Sequence, residues 1–245
     1  AATSHAPVLL RGETGAGKEW VARAIHQHGS RAQGPFVSVN CSALPEGTLE
    51  SELFGHARGS FTGAAGARRG LIPSAHGGTL FLDEVGDASP RLQAELLRVL
   101  QEGEVRPVGS DEVVRVDVRV VAATHRDLEA RVGEGTFRED LLYRLRGLEL
   151  AVPPLRDRRE DIPALARHFL AHAPGGAGRR FAPETLTALV TRAWPGNVRE
   201  LQSAVHRAAA FAAGEVIVPG DLPPALEVRG ASDDGSLPAL WERVL

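Results

Sequence analysis

The chain has 245 residues, and 43% of them are hydrophobic, which is enough for a core in one large domain or in an ordinary domain with a smaller one. Its net charge of −3, without a basic run, gives no sign that this segment holds nucleic acid electrostatically. One cysteine, Cys41, excludes an internal disulfide framework, and no stretch approaches the roughly 18 apolar residues that span a membrane. Without a signal peptide or any methionine, the sequence is expected to be a cytoplasmic fragment of a longer protein.

Short apolar strands alternate with helices in the first half of the chain. The predicted strands are PVLLRG, FVSVN, TLFLDE and VRVVAAT. One helix is predicted to begin near Lys18, and another is predicted over about 89–102. Alternation of this kind favours a mostly parallel sheet covered by helices. An α/β fold is therefore expected.

Strand signals stop after VPPLRDR at 152–158, where two prolines can neither continue a helix nor join a central strand. Helical segments follow at about 160–172, 183–193 and 197–213. The predicted organisation has an α/β part at 1–155 and a helical part at 156–227. Residues 228–245 are expected to be a linker and the start of a further helix.

The stretch GETGAGKE at 12–19 follows a strand and opens a helix. Three glycines there let backbone N–H groups surround a phosphate, and Lys18 can reach the β and γ oxygens. The pattern is that of a Walker A loop, although Glu19 stands where Ser or Thr normally ligates Mg²⁺. Taken alone, it is equally compatible with a plain glycine-rich turn between a strand and a helix.

The stretch GGTLFLDE at 77–84 is an apolar strand that ends in two carboxylates. A Walker B strand delivers an aspartate such as Asp83 toward Mg²⁺ and a glutamate such as Glu84 toward water. The alternative is a strand followed by an acidic turn. Asn40, at the end of FVSVN, is either a hydrogen-bond partner of Glu84 or a turn residue. Thr124 and His125 follow another strand at the same edge, where His125 alone is more typical of a loop histidine.

Three arginines need an anion or a salt bridge. In WPGNVREL at 194–201, Asn197 is predicted to cap a helix, with Arg199 in the first turn, where a cation opposes the helix dipole. A bound phosphate or a salt bridge to Glu200 would satisfy Arg199. On one continuous helix Arg138 and Arg144 would lie roughly 240° apart, so both cannot serve one site. Either is an arginine finger for a neighbouring subunit or simply an exposed arginine.

The stretch GSFTGA at 59–64 sets an aromatic residue between glycines. Because glycine stabilises neither helix nor strand, this is predicted to be a mobile loop with Phe61 near its tip. An aromatic residue there indicates a binding partner, although Phe61 packed against its own domain remains an alternative.

Together these motifs resemble the central AAA+ ATPase domain of bacterial enhancer-binding proteins, which act with the sigma-54 form of RNA polymerase. The resemblance covers about Val8 to Pro223, and its most specific motif is ELFGHARGSFTGA at 52–64, similar to the family's GAFTGA loop. GETGAGKE, GGTLFLDE, LQAELLRVLQEGE, VRVVAATHRDL, FREDLLYRL, VPPLRDRREDI and WPGNVREL match as well. The resemblance implies a AAA+ P-loop NTPase with a small C-terminal all-α lid.

The resemblance also implies ATP and Mg²⁺ as cofactors and assigns roles to individual residues. Asp83 and Glu84 would be the Walker B pair, with Asp83 the metal ligand, and Asn40 would be the switch residue. The implied catalytic residues are Lys18, Asn40, Asp83, Glu84, Arg138 and Arg144, the last two as candidate fingers. The implied nucleotide-binding residues are Gly12, Glu13, Thr14, Gly15, Ala16, Gly17, Lys18, Glu19, Thr124 of sensor I and Arg199 of sensor II. The implied contact with sigma-54 is made by Gly59, Ser60, Phe61, Thr62, Gly63 and Ala64.

Members of the family form rings, usually hexamers, that bind ATP between subunits and remodel the closed promoter complex as they hydrolyse it. By that resemblance EVRPVG at 104–109 is a second, supporting loop, and DNA is bound only through a C-terminal domain outside these residues. Two alternatives remain: an ATP-dependent assembly module without remodelling, and a AAA+ remodeller with another client. The FTGA motif argues against both.

Three single positions and one stretch depart from the family pattern. Ser60 replaces alanine, His125 stands where asparagine is frequent, and His76 stands where aspartate is more common. RLRGLEL at 144–150 replaces the more usual RLNVFPI, and its Arg146 and Gly147 are expected to alter the subunit interface.

Overall fold

The computed structural model describes Ala2 and residues 4–43, 45–60 and 66–225. The strands are β1 Val8–Arg11, β2 Phe36–Asn40, β3 Gly55–His56, β4 Arg68–Arg69, β5 Thr79–Asp83, β6 Glu104–Val105, β7 Val114–Arg115, β8 Arg119–Thr124, β9 Leu148–Ala151, β10 Arg180–Phe181 and β11 Val216–Ile217. The α-helices are α1 Lys18–Gln27, α2 Glu46–Phe54, α3 Leu71–Ser74, α4 Pro90–Glu102, α5 Leu128–Gly133, α6 Glu139–Leu145, α7 Ile162–His172, α8 Pro183–Thr191 and α9 Asn197–Phe211. Within these described ranges, no helix has the length and apolar character needed to cross a membrane.

Five strands form a central sheet in the order β2-β5-β8-β1-β9, and every neighbouring pair is parallel. β5 and β8 are buried along almost their whole length, as is usual for strands covered by helices on both faces. The four strands predicted from the sequence and the α/β fold are confirmed. The edge strand β9 was not predicted, because its four residues alternate between half-buried and exposed.

Helices pack on both faces of this sheet. On one face Leu9 and Leu82 contact a core that includes Leu92 of α4 and Leu141 of α6. The helix predicted at 89–102 is confirmed as α4, which begins where the Ser89 hydroxyl accepts from Leu92 N at 3.2 Å. On the other face α1 packs over β1, β5 and β8. This arrangement fixes the start of α1, and with it the P-loop, against the sheet.

The helical segment has a second hydrophobic core, built from α7, α8 and α9 around Trp194. Trp194 is 2% exposed, and its indole N–H donates to Leu189 O at 2.7 Å. The three helices predicted here are confirmed to within two residues at each end. The expectation that strands stop after residue 158 is wrong in one detail, because β10 and β11 form a parallel pair. Two residues per strand are too few to produce a recognisable sequence pattern.

Candidate functional site

A cleft at the carboxyl edge of the sheet contains most of the motif residues. The P-loop follows β1, Asp83 ends β5, and Thr124 ends β8. The carboxyl ends of parallel strands lie at the same edge, next to the start of α1. The cleft is lined by Gly15, Gly17, Lys18, Glu19, Trp20, Asp83, Glu84, Val198, Arg199 and Gln202. The fold therefore joins the Walker A segment, the Walker B segment and the lid at one place.

The glycines of the P-loop permit a backbone that other residues would not adopt. Gly15 and Gly17 have φ angles of 76° and 97°, in the left-handed region. A side chain at Gly15 would also put its Cβ 2.5 Å from Gly196 O, at the start of α9. The carbonyl oxygen of Gly15 accepts from Val198 N at 2.9 Å. Gly15 thus allows the P-loop to contact the lid directly.

Lys18 is 5% exposed, and its ammonium group lies inside the curve of the P-loop. Its Nζ donates to Gly12 O at 2.9 Å and to Glu13 O at 3.3 Å, and lies 3.8 Å from Glu84 Oε1. Glu19, in contrast, forms an ion pair with Arg23 one turn along α1, at 2.7 Å. The ammonium group of Lys18 therefore lies between the backbone of the P-loop and the acidic end of β5.

Two adjacent carboxylates face this lysine. Burial, followed by the negative charge of Glu84, raises the pKa of Asp83. Glu84 has φ 52° and ψ 44°, a left-handed conformation that is uncommon for a non-glycine residue and is concentrated at functional sites. Its Oε2 lies 2.6 Å from Nδ1 of His125. The end of β5 thus combines backbone strain with close negative charges.

Three residues predicted at this edge have the following contacts. For Asn40, which the sequence left open as a partner of Glu84 or a turn residue, Oδ1 accepts from the N–H and the hydroxyl of Ser42, both at 2.8 Å, as in a turn. His125, expected to be an ordinary loop histidine, contacts Glu84 instead. Thr124 is fully buried, and its hydroxyl accepts from Arg126 N at 3.0 Å. Asn40 and Thr124 lie at the predicted edge of the sheet, and their proposed roles stay predictions.

The prediction that the Asn197 side chain caps α9 is wrong. Gly196 occupies the cap position, and Asn197, fully buried with φ 54°, makes contacts across the molecule. Its Oδ1 accepts from Leu155 N at 2.8 Å, while its Nδ2 donates to Glu13 Oε2 at 3.0 Å and to Thr14 O at 3.2 Å. Asn197 therefore joins the P-loop to the lid, a role that its place before a helix conceals.

Glu13 receives a second partner from the start of the lid. Arg156 donates to both of its carboxylate oxygens, at 2.6 and 2.8 Å. The hydrogen bonds from Arg156 and then from Asn197 lower the pKa of Glu13 to about 2. We call Glu13, Arg156 and Asn197 the lid contact. Neither Arg156 nor this use of Asn197 was predicted, because the partners are more than 140 residues apart.

Arg199 is exposed and lines the cleft. The alternative partner Glu200 uses Oε2 to accept from Gly196 N at 2.8 Å, and none of the ion pairs between described residues includes Arg199. The salt bridge that the sequence left open is therefore not formed, and the guanidinium stays available at the cleft.

Arg138 and Arg144 do not line this cleft. Helix α6 begins at Glu139, so Arg138 precedes it as the cap residue and Arg144 lies in its last turn. Arg138 donates to both carboxylate oxygens of Asp140, at 3.0 and 2.7 Å. Arg144 is exposed and has no ion pair within the part of the chain that the structure describes. The two arginines thus differ in how freely each can reach another molecule.

Of the GSFTGA loop at 59–64, the structure describes only Gly59 and Ser60. Phe61, Thr62, Gly63 and Ala64 lie outside the described residues, whereas Gly59 has φ 77° and Ser60 N donates to Ala57 O at 3.3 Å. The predicted supporting segment at 104–109 contacts this start. Ala57 N donates to Val108 O at 3.0 Å, and a Cβ at Gly109 would lie 2.4 Å from Ser60 Cβ. Segments distant in sequence thus meet at the base of the loop.

Comparisons with known proteins identify both parts of the chain. Residues 1–151 match the family model of the sigma-54 interaction domain, and residues 156–237 match that of the AAA+ ATPase lid domain. The regulatory protein AtoC of Escherichia coli is 53% identical over 91% of this chain and 49% of its own length. The regulator NtrC of Klebsiella pneumoniae is 49% identical over 99% of this chain and 53% of its own. The chain therefore spans about half the length of these relatives.

The solved structures give the same result. NtrX from Brucella abortus in complex with ATP has a TM-score of 0.79 and 40% sequence identity, over 91% of this chain and 52% of that one. The fold is also shared with Hsp104, at a TM-score of 0.60 and 17% identity. The resemblance inferred from the motifs is confirmed: the chain belongs to the sigma-54 interaction domain family of AAA+ P-loop NTPases.

Proposed function

We propose that this chain is the ATP-hydrolysing part of a ring ATPase that remodels the sigma-54 RNA polymerase holoenzyme to activate transcription. The observation that carries the proposal is the cleft itself, in which Lys18, Asp83, Glu84 and Arg199 converge from the P-loop, the sheet and the lid. The membership of the sigma-54 interaction domain family supports the choice of client. A cytoplasmic location agrees with that client.

ATP would lie along the P-loop with its γ-phosphate toward Glu84. Lys18 and the backbone N–H groups at the start of α1 would neutralise the phosphate oxygens. Glu84 would orient a water molecule and accept its proton, while the water oxygen bonds to the γ-phosphorus and the bond to the bridging oxygen breaks. Arg199 would reach the phosphates from the lid. The products are ADP and phosphate.

The adenine ring of ATP has a candidate binding site beside the P-loop. An apolar cavity lies between α1 and the lid, lined in part by Ala16, Trp20, Leu165, His168 and Phe169. Trp20 also lines the phosphate cleft, so the two cavities adjoin. Purine rings bind in apolar, aromatic-lined cavities of this kind.

The donor set of the cleft fits Mg²⁺. Oxygen ligands suit this hard cation, and the carboxylate of Asp83 lies at the end of a strand beside the phosphate site. Burial and then the negative charge of Glu84 raise the pKa of Asp83, and a cation there would offset the second of these causes. Asp83 would hold the ion, with Glu19 nearby, and the bound ion would neutralise charge on the β and γ phosphates.

The remaining roles concern neighbouring molecules. We infer a homo-oligomeric ring, expected to be a hexamer, in which an arginine of α6 or its cap completes the neighbouring ATP site. We also propose a division at 155, with a lid at 156–227. The family matches support the division because one ends at residue 151 and the other begins at residue 156, although the second match continues to residue 237. Asn40 remains the proposed switch residue, and Gly59 through Ala64 the proposed contact with sigma-54. DNA would be bound only by a further domain outside these residues.

Co-elution with purified sigma-54 in size-exclusion chromatography tests the proposal. The complex is expected in ADP with an aluminium fluoride phosphate mimic, but not in ADP alone, and Phe61→Ala should abolish it without loss of ATP hydrolysis. Phe211→Ala is the matched control, because Phe211 is 78% exposed at the end of α9. No complex in either state, with hydrolysis intact, would favour an assembly module or another client. Loss of hydrolysis in Phe61→Ala would indicate a structural role.

A further inference from the structure

Four charged side chains form a closed set of ion pairs beside the P-loop. Arg11 contacts Glu129 at 2.7 Å and Glu149 at 2.8 Å. Arg146 contacts Glu149 at 2.9 Å and also contacts Glu129. Each arginine bridges both glutamates, and each glutamate bridges both arginines. We call these four residues the charge quartet.

The quartet joins parts of the chain that have different functions. Arg11 is the last residue of β1, immediately before the P-loop, and Glu149 lies in β9, the neighbouring strand. Glu129 lies in α5, and Arg146 directly follows α6. The end of α6 is therefore attached to the strand that leads into the phosphate site.

The arrangement controls position more than stability. The side chain of Arg11 is 23% exposed, and those of the other three are between 38% and 48% exposed. Partly exposed ion pairs contribute little to stability. A guanidinium held between two carboxylates is nevertheless restricted in position, because moving away from either carboxylate loses a charge attraction. The quartet can therefore hold the end of α6 in position while contributing little to the free energy of unfolding.

Arg144 lies two residues before Arg146, in the last turn of α6. It is exposed and forms no ion pair with any described residue, whereas Arg138 at the other end of the helix is bound by Asp140. Of the two candidate fingers, Arg144 is the one whose charge is free and whose backbone the quartet restrains. A long side chain on a fixed turn is well suited to contact a phosphate on another subunit.

We propose that the charge quartet of Arg11, Glu129, Arg146 and Glu149 positions Arg144 to complete the ATP site of the neighbouring subunit. The four are positioning residues, and Arg144 is the group that reaches the nucleotide. This inference rests on the proposed ring ATPase. It adds the set of side chains that holds Arg144 in place.

Steady-state ATP hydrolysis at a concentration where rings form is the first test. Arg146→Gln and Glu149→Gln are each expected to lower kcat about tenfold with KM for ATP changed less than about twofold, because a finger displaced by about an ångström loses its transition-state contact. Arg98→Gln is the matched control, since Arg98 pairs with Glu95 three residues away on α4. It should hydrolyse ATP as the unmodified chain does.

Mixed rings separate a finger effect from damage to the subunit's own P-loop. Lys18→Ala subunits lack a working phosphate site but keep the quartet and Arg144. Added in excess, they should restore hydrolysis by Arg146→Gln subunits toward the unmodified rate, because they supply intact fingers. Subunits with both Lys18→Ala and Arg144→Ala should restore nothing. Failure of the first mixture would mean that Arg146 acts within its own subunit and would overturn the proposal.

The outcomes also separate this inference from the function on which it rests. If Arg144→Ala abolishes hydrolysis but Arg146→Gln hydrolyses ATP normally, the finger stands and the quartet proposal is overturned. If the unmodified chain hydrolyses no ATP at any concentration, both proposals are overturned. If Arg146→Gln and Arg98→Gln lower kcat equally, the quartet has no more effect on hydrolysis than a surface ion pair elsewhere, and its positioning role is overturned.

Discussion

The two sides of the P-loop are built in opposite ways. Toward the sheet, Asp83 is half-buried beside Glu84, and its partial burial followed by the charge of Glu84 raises its pKa. Toward the lid, Glu13 is bound by Arg156 and Asn197, and its pKa is lowered to about 2. The surroundings of Asp83 disfavour its charged form, whereas the partners of Glu13 favour its charged form. The first environment is typical of sites prepared for a cation or a reaction, and the second of contacts that hold a structure together.

Backbone strain occurs on both sides of the loop but is compensated differently. Glu84 has a left-handed backbone with a carboxylate facing the cleft, whereas Asn197 has a similar backbone with both side-chain groups hydrogen bonded. Such conformations persist only where surrounding contacts determine them. The side-chain contacts of Glu84, with His125 and Lys18, lie at the cleft, whereas those of Asn197 join the P-loop to the lid.

The largest expected effect is on the reacting side. Lys18→Ala should lower ATP hydrolysis about a thousandfold, because the buried ammonium is the P-loop cation nearest Glu84. The rate is measured as phosphate release, with binding of a fluorescent ATP analogue in parallel. The variant should fold normally, as judged by circular dichroism. Hydrolysis within tenfold of the unmodified rate would contradict this assignment.

An intermediate effect is expected at the lid contact. Asn197→Leu should lower the free energy of unfolding by about 2–4 kcal/mol, because it leaves Leu155 N without its acceptor and strains a left-handed position. Asn197→Gly removes the same hydrogen bonds but accepts the backbone, so it should be less destabilising. Urea denaturation measures both. Equal stabilities of the two variants would show that the backbone conformation has no cost there.

The smallest effect concerns Glu13 and its pH dependence. Because its folded-state pKa is about 2 against an ordinary 4.5, its stabilising contribution is complete above about pH 4.5 and is lost as the pH falls toward 2. The stability difference between the unmodified chain and Glu13→Gln should therefore shrink over this window. Solvent exposure of the pair keeps the difference below that of Asn197→Leu. Thermal melts from pH 6 to pH 2 measure it, and a constant difference would contradict the ion pair.

Much of the fold could be predicted because its signals are local. The apolar runs of β5 and β8 and the helix at 89–102 follow from periodicity, and the P-loop follows from glycines between a strand and a helix. Asp83 and Glu84 were found because they end a buried strand. The paired strands β10 and β11 and the edge strand β9 were not predicted, since strands of only two or four residues carry little pattern.

By itself, the sequence determined the fold class, the family and the identity of most cleft residues, because these depend on short contiguous patterns. Only the tertiary structure decided that His125 rather than Asn40 contacts Glu84, that Asn197 joins the P-loop instead of capping α9, and that Arg146 belongs to a charge quartet. Each of these choices depends on which distant side chains lie within about 3 Å, a distance set by packing of the whole chain. Hydrogen bonds and ion pairs are short-ranged and directional, so spacing along the sequence does not specify them.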